Sequence, residues 1–236
     1  MKRRFLPRTL GLAAIAAFLG AASEARAEER AQDRAEEPSP FATERFKIKD
    51  YSVSLGMRAG LFIPSGGLYA NHNLVTTTFR DIATAGPALE FDLGARFARY
   101  FVGYALFEQA FLGQGSSTAW TLPHGGQSSP TTQAAGIGVR WESNPAGWGV
   151  VADVALAYRW FNARWADSTT IRMEGLGEVR LGFGMTWRVA RGVALAPMVT
   201  LLTGTFTDRT LDGRPLGDMT SSYAAANVAL SGQADL

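Results

Sequence analysis

From Tyr51 onward, apolar and polar residues alternate with a period of two, broken by clusters of Gly, Ser, Asn and Asp. That period puts successive side chains on opposite faces of a β-strand. The stretch WGVVADVALAYRWF, residues 148–161, sets the problem. As a strand it has an apolar face of Trp148, Val150, Ala152, Val154, Leu156, Tyr158 and Trp160. Its other face carries Asp153 and Arg159 among Gly149, Val151, Ala155 and Ala157. On a helix the two charges would diverge; on a strand they share one side.

Eight such segments are predicted, at about 51–62, 87–97, 100–112, 134–141, 148–161, 171–187, 193–202 and 223–236. In the first, Tyr51, Val53, Leu55, Met57, Ala59 and Leu61 oppose Ser52, Ser54, Gly56, Arg58 and Gly60. The third is apolar on both faces, which leaves its register open, although Glu108 marks a polar position. The sixth is expected to hold Ile171, Met173 and Val179 on its apolar face, against Glu174, Glu178 and Arg180. Pro197 lacks a ladder donor, so a bulge or local break is expected in the seventh. The connections alternate: long at about 63–86, 113–133 and 203–222, shorter at 162–168, and tight at 98–99, 142–147 and 188–192. Within the first long connection, LVTTTF (74–79) could add a short strand. Long loops on one side and tight turns on the other, with both termini on the tight side, describe an all-β, eight-stranded antiparallel up-and-down barrel.

Alternation does not say which face points inward. A lipocalin-like soluble barrel would turn its charges to water. Three features favour lipid outside. Aromatic residues gather at strand ends, as interfacial girdles do: Tyr51, Phe97, Tyr100, Trp141, Trp148 and Trp187 at the tight turns, and Phe62, Phe111, Trp160, Phe161 and Tyr223 at the long loops. The polar face is sparse in charge and rich in small residues, and no lysine follows Lys49. Its charges are Arg58, Arg96, Arg140, Arg159 and Arg180 against Glu90, Asp92, Glu108, Asp153, Glu174 and Glu178. This near balance suits a closed polar lumen, where charges must be paired, and the arginine fork matches carboxylates bidentately. Glycines at 56, 94, 136, 138, 182 and 184 would leave room for those side chains. Finally, several segments approach the roughly 10 residues that a tilted strand needs to cross hydrocarbon.

The N-terminus adds an address. Lys2, Arg3, Arg4 and Arg8 precede an apolar run of 13 residues, Leu10–Ala22, and Ala25-Arg26-Ala27 offers a cleavage site. Residues 1–27 are thus predicted to be a secretory signal peptide. Residues 28–50, charged and carrying Pro38 and Pro40, are expected to form a mostly disordered periplasmic leader, and 51–236 the barrel. The full chain has 23 basic and 21 acidic residues; the signal segment takes five and one, leaving 18 and 20, a net charge of −2. The high pI therefore belongs to the export signal, and nucleic-acid binding is excluded as its explanation. With no cysteine, disulfides and thiolate metal sites are excluded as well.

Candidate chemistry is thin. His72 and His124, the two histidines, fall in long loops at no metal-binding spacing. PHGGQSS, with Ser128 and Ser129 near His124, invites a hydrolase reading. GIG (136–138) and GFG (182–184) lie inside strands with no helix after them, so they are not phosphate loops. The lumen carboxylates could serve acid–base work, but structural ion pairing explains them more simply.

On the export signal, the eight alternating segments and the aromatic girdles, the chain resembles small outer-membrane β-barrels of the OmpA/OmpX/OmpW type over residues 51–236. The resemblance rests on pattern and on no diagnostic motif. It implies the outer membrane of a Gram-negative bacterium, with membrane lipid and lipopolysaccharide around the barrel and the barrel-insertion machinery as assembly partner. No cofactor and no metal are expected, and the barrel is expected to be a monomer. Lipid-A-modifying barrels of this size carry a strand-borne His/Ser pair near the C-terminus, and the eighth strand here has no histidine. Such barrels often end in an aromatic residue; here the end is Ala234-Asp235-Leu236. The expected function is non-enzymatic: envelope structure, or surface presentation of loops. A narrow channel or apolar-solute conduit, drawing on Leu68, Leu74, Trp120 and Leu122, is one alternative. A soluble periplasmic lipid-binding barrel is the other.

Overall fold

The computed structural model describes residues 51–70, 76–116, 126, 130–190, 192–215 and 221–236. The signal peptide, the leader, both histidines, the serines of PHGGQSS, and Leu74, Trp120 and Leu122 lie outside the described residues. In chain order the elements are β1 (Ser52–Ala70), β2 (Thr76–Thr78), α1 (Phe79–Ile82), β3 (Ala83–Thr84), β4 (Gly86–Ala98), β5 (Phe101–Phe111) and β6 (Gly113–Gln114). They continue with β7 (Thr131–Glu142), β8 (Trp148–Arg164), β9 (Thr170–Ala190), β10 (Val193–Phe206), β11 (Asp208–Leu211), β12 (Arg214–Pro215) and β13 (Ser221–Asp235).

Eight of these strands close a barrel. Antiparallel neighbours run β1-β4-β5-β7-β8-β9-β10-β13, and β13 pairs back onto β1. Closure leaves no strand edge within the ring, which a sheet surrounded by lipid requires. Hydrogen-bonded partners followed around the ring from Ser54 pass through Gly94, Tyr104, Gly138, Ala155, Arg180, Leu202 and Ala225 and return to β1 at Pro64. The ring therefore closes with a stagger of ten residues, and each row of partners climbs toward the long-loop end. An eight-stranded barrel has an interior just wide enough for its own side chains.

The alternation is read out as expected along most of the barrel. Leu55, Met57, Phe91, Leu93, Ile137, Val150, Leu156, Phe183, Val199 and Leu230 are exposed on the outside. Ser54, Arg58, Glu90, Asp92, Arg96, Arg140, Asp153, Arg180 and Ser231 are buried within. Trp148 stacks on Trp187 with centroids 5.5 Å apart at the tight-turn end. Trp148 and Tyr158 stand ten residues apart on β8, about 33 Å along the strand and ~25 Å along the barrel axis at a tilt of about 40°. That matches the height of an outer-membrane apolar band.

Several expectations needed adjustment. The open register of the third segment resolves with Val102, Tyr104, Leu106 and Glu108 inward, and with Phe107 and Phe111 outward. At Pro197 the expected interruption is a local break, not a bulge: the pairing with β9 skips Ala196 and Pro197. The β9 partners pass from Leu195↔Trp187 to Met198↔Gly184 in unchanged register, and Pro197 stays opposite Leu230 on β13. The LVTTTF segment splits, giving the strand β2 and then the first residue of α1.

The largest departure lies in β9. Its register against β8 slips between Ala157 and Tyr158, where Gly177 is the extra residue and takes φ +110. Glycine reaches that left-handed region without the steric cost of a Cβ, and the extra residue reverses side-chain parity beyond it. Ile171 and Met173, expected outside with Val179, are therefore buried inside, while Arg172 and Glu174 turn outward.

Candidate functional site

The lumen holds the chemistry, and it is layered. In the middle, four arginines and five carboxylates form one connected set of ion pairs. Arg58 places Nη2 2.5 Å from Asp153 and Nε 3.2 Å from Glu90. Arg180 Nη2 reaches Glu90 at 2.5 Å and Glu108 at 2.7 Å. Arg159 donates to Glu108 at 2.7 Å, to Thr132 Oγ1 at 3.0 Å, and to Glu178. Arg140 pairs with Asp92 at 3.0 Å and donates to Gln233 at 2.6 Å. All these charged side chains are nearly inaccessible.

The set has one more anion than cation. Neutral donors answer the surplus: Asn227 Nδ2 donates to Glu108 at 3.3 Å and Tyr223 Oη to Glu178 at 2.6 Å. Desolvated charges are tolerated in this way, each one paired with an opposite charge. Two glycines make the pairing sterically possible. A Cβ on Gly56 would collide with the Asp92 carboxylate, and one on Gly182 with that of Asp153.

Toward the tight turns lies a second, smaller group. Arg96 donates to Glu142 at 3.0 Å and to Asp235 at 3.1 Å, and Arg188 reaches Asp235 at 2.8 Å. Gln233 links the two layers, accepting from Arg140 through its oxygen and donating to Asp235 at 2.9 Å through its nitrogen. Beside it, a cavity of only ≈ 10 Å³ is lined by Arg140, Glu142, Thr186, Met198, Ser231 and Gln233. That is room for about one water molecule.

Toward the long loops the character changes. Phe62, Phe161, Phe206, Tyr223, Trp165, Met173 and Leu202 converge into one buried apolar cluster. Phe79 and Ile82 of α1 enter it from the first long connection. The Phe79 ring lies 5.2 Å edge-on to Phe161 and 6.0 Å from both Phe206 and Tyr223, and Phe206 stacks on Tyr223 at 4.6 Å. The Asp81 carboxylate accepts from the Thr78 backbone N–H at 2.6 Å and from its hydroxyl at 2.8 Å, which starts the helix. Pairing of β3 with β6 ties the first connection to the second. The layers meet at Tyr223, whose ring belongs to the plug and whose hydroxyl holds Glu178, and at Phe62, which lies 4.8 Å beneath the Arg159 guanidinium.

Of the charges expected in the lumen, Arg58, Glu90, Asp92, Arg96, Glu108, Arg140, Asp153, Arg159, Glu178 and Arg180 come together there. Glu174 does not: the Gly177 bulge turns it outward, where it pairs with Arg172 at 2.7 Å and accepts from Tyr158 Oη at 2.9 Å. Three residues expected in the girdles, Phe62, Phe161 and Tyr223, are inside the plug. Their parity along the strand matches that of Arg58, Arg159 and Asn227, a signal their position at strand ends obscured. Tyr51, Phe97, Phe111, Trp148 and Trp187 are exposed on the outer face, while Tyr100, Trp141 and Trp160 are partly covered. Sequence reasoning left Glu142, Arg188, Thr132 and Asp235 out of the network, and missed Phe79, Ile82 and Phe206 altogether. Among the described residues no group of His, Asp and Glu could hold a metal ion.

An apolar exterior, a closed ring and a charge-paired interior define an eight-stranded antiparallel transmembrane β-barrel of the outer-membrane type. Neisserial surface protein A has a similar structure: 9% identity, TM-score 0.54, covering 80% of this chain and 100% of that one. A major outer membrane protein from Thermus thermophilus aligns at 13% identity over 80% of this chain and 100% of that one, TM-score 0.49. OprG of Pseudomonas aeruginosa aligns at 10% identity over 78% and 97%, TM-score 0.44. At such identities the first of these likenesses is one of fold alone. No family model matches the sequence, and no curated protein matches it significantly.

Proposed function

We propose that the chain is exported, loses residues 1–27, and resides in the outer membrane of a Gram-negative bacterium as a monomeric, non-enzymatic barrel with a closed lumen. Residues 28–50 would remain as a periplasmic leader ahead of the barrel at 51–236. In this orientation the tight turns face the periplasm and the long loops face outward. Its roles are envelope structure and display of those loops, with membrane lipid and lipopolysaccharide around it and the barrel-insertion machinery placing it there.

One observation carries this reading: the lumen is filled along its length. Paired charges occupy the middle, the Arg96–Asp235–Arg188 group lies below, and the plug entered by Phe79 closes the long-loop mouth. An apolar-solute conduit through the barrel would need that mouth open. The test is conductance in planar bilayers with the purified, processed protein. A closed lumen gives no steady ionic steps; large, long-lived channels from wild-type protein would sink the reading.

A further inference from the structure

The Gly177 bulge has a consequence on the outer surface. Below it, Glu178 and Arg180 point into the lumen. Above it, the same strand turns Glu174 and Arg172 outward, beside Tyr158, Trp160 and Asn162 of β8, whose parity is unbroken. The short strand β11 extends the sheet here, so that Trp160, Glu174 and Asp208 form one row of partners and Asn162, Arg172 and Thr210 the next. These rows climb toward the long-loop end in passing from β8 to β11, as the ten-residue stagger requires. Glu174 and Asp208 thus stand above the aromatic belt on the same face that meets lipid lower down.

A groove of ≈ 460 Å³ opens there, lined by Thr170, Arg172, Glu174, Asp208, Thr210 and Gly213. Beside it on β8, Trp160 is the strand partner of Glu174, and the Tyr158 and Trp160 rings lie 4.7 Å apart. Glu174 is held from two sides, by Arg172 at 2.7 Å and by Tyr158 Oη at 2.9 Å.

We propose that this groove binds the saccharide headgroup of an outer-leaflet glycolipid, a reading that rests on the outer-membrane location proposed above. The lining selects the ligand chemistry. Two carboxylates, one guanidinium and two threonine hydroxyls supply the mixed acceptors and donors that vicinal sugar hydroxyls need. A pair of aromatic faces next to them gives a pyranose ring an apolar surface to lie against. A bare phosphate is disfavoured, because Arg172 is already neutralised by Glu174 and Asp208 adds a further negative charge. An acyl chain is disfavoured by the polar lining. A headgroup sugar satisfies both limits, because its acyl chains continue down the apolar face below Tyr158 and Trp160. The source is a lipid of the same leaflet because Arg172, Glu174 and Asp208 share the outward face of the sheet with Tyr158 and Trp160.

The experiment uses the full processed chain refolded in detergent micelles, with bound lipid counted by native mass spectrometry. Three probes are titrated: rough lipopolysaccharide, the core oligosaccharide released from it by mild acid, and phosphatidylglycerol. The expected result is retention of intact lipopolysaccharide, with at least tenfold weaker binding of both other probes. A Glu174→Gln/Asp208→Asn double variant should weaken lipopolysaccharide binding at least tenfold while keeping heat-modifiable gel migration. Tyr158→Phe serves as the milder second variant, with a loss of severalfold. Wild-type affinity in both variants would overturn the proposal, as would equal retention of phosphatidylglycerol; oligosaccharide binding as tight as that of intact lipid would overturn its glycolipid source. Failure of the outer-membrane reading looks different: the wild-type chain would then fractionate without detergent and show no heat-modifiable form.

Discussion

The middle of the lumen and its long-loop mouth are built from the same strands at the same inward parity, yet filled in opposite ways. In the middle, Arg58, Arg140, Arg159 and Arg180 bind Glu90, Asp92, Glu108, Asp153 and Glu178. At the mouth, Phe62, Phe161, Phe206 and Tyr223 receive Phe79 from outside the ring. The difference follows from the surroundings. The middle lies behind a hydrocarbon-facing wall, where a charge survives only if opposite charges and donors surround it. The mouth borders water, where apolar packing is what excludes solvent. The ion pairs are therefore protected by a greasy stopper above them and a second polar clamp below.

The comparison breaks most severely where one partner leaves the paired layer. Arg180→Leu strips Glu90 and Glu108 of their shared cation and should cost about 3–5 kcal/mol. Urea unfolding of the refolded barrel in lipid measures this, and a loss under ~1 kcal/mol would mean that water reaches the middle layer. Phe79→Ala tests the stopper. It should cost about 3 kcal/mol and leave the ion pairs intact but wetted, detectable as faster amide exchange in β7 and β13 and as brief conductance steps. Exchange confined to residues 76–84 would show that the helix does not seal the lumen. The smallest effect is expected at the lower clamp. Asp235→Asn keeps an acceptor for Arg96 and Arg188 but loses the charge, costing ~1–2 kcal/mol. Its salt dependence sharpens the contrast: the wild-type clamp, with Asp235 half-buried at the tight-turn end, should weaken in high salt, whereas the middle layer should not.

Much of this was legible in the alternation. Asp153 and Arg159 on one face of 148–161 already implied a polar interior, and Arg58, Glu90 and Arg140 followed by the same parity. The aromatic residues near strand ends misled because position was weighed above parity: Phe62 continues the Arg58 face and Tyr223 the Asn227 face, so both point inward. The helix residues Phe79 and Ile82 carried no such signal, because a single helical turn inside a long connection has no periodicity to detect.

Barrel class, the number of spanning strands and the lipid-facing side of most strands are already readable from the alternation. Those properties are local: a two-residue period and a run of about ten residues carry them. Tertiary structure decided who pairs with whom and where parity reverses. Arg58 meets Asp153 across 95 positions only because ring closure and stagger bring β1 opposite β8. Glu174 leaves the lumen because one glycine, Gly177, takes a positive φ and shifts the register of β9 against β8. Contacts made across a closed ring depend on register, and register is a property of the assembled sheet rather than of any one strand.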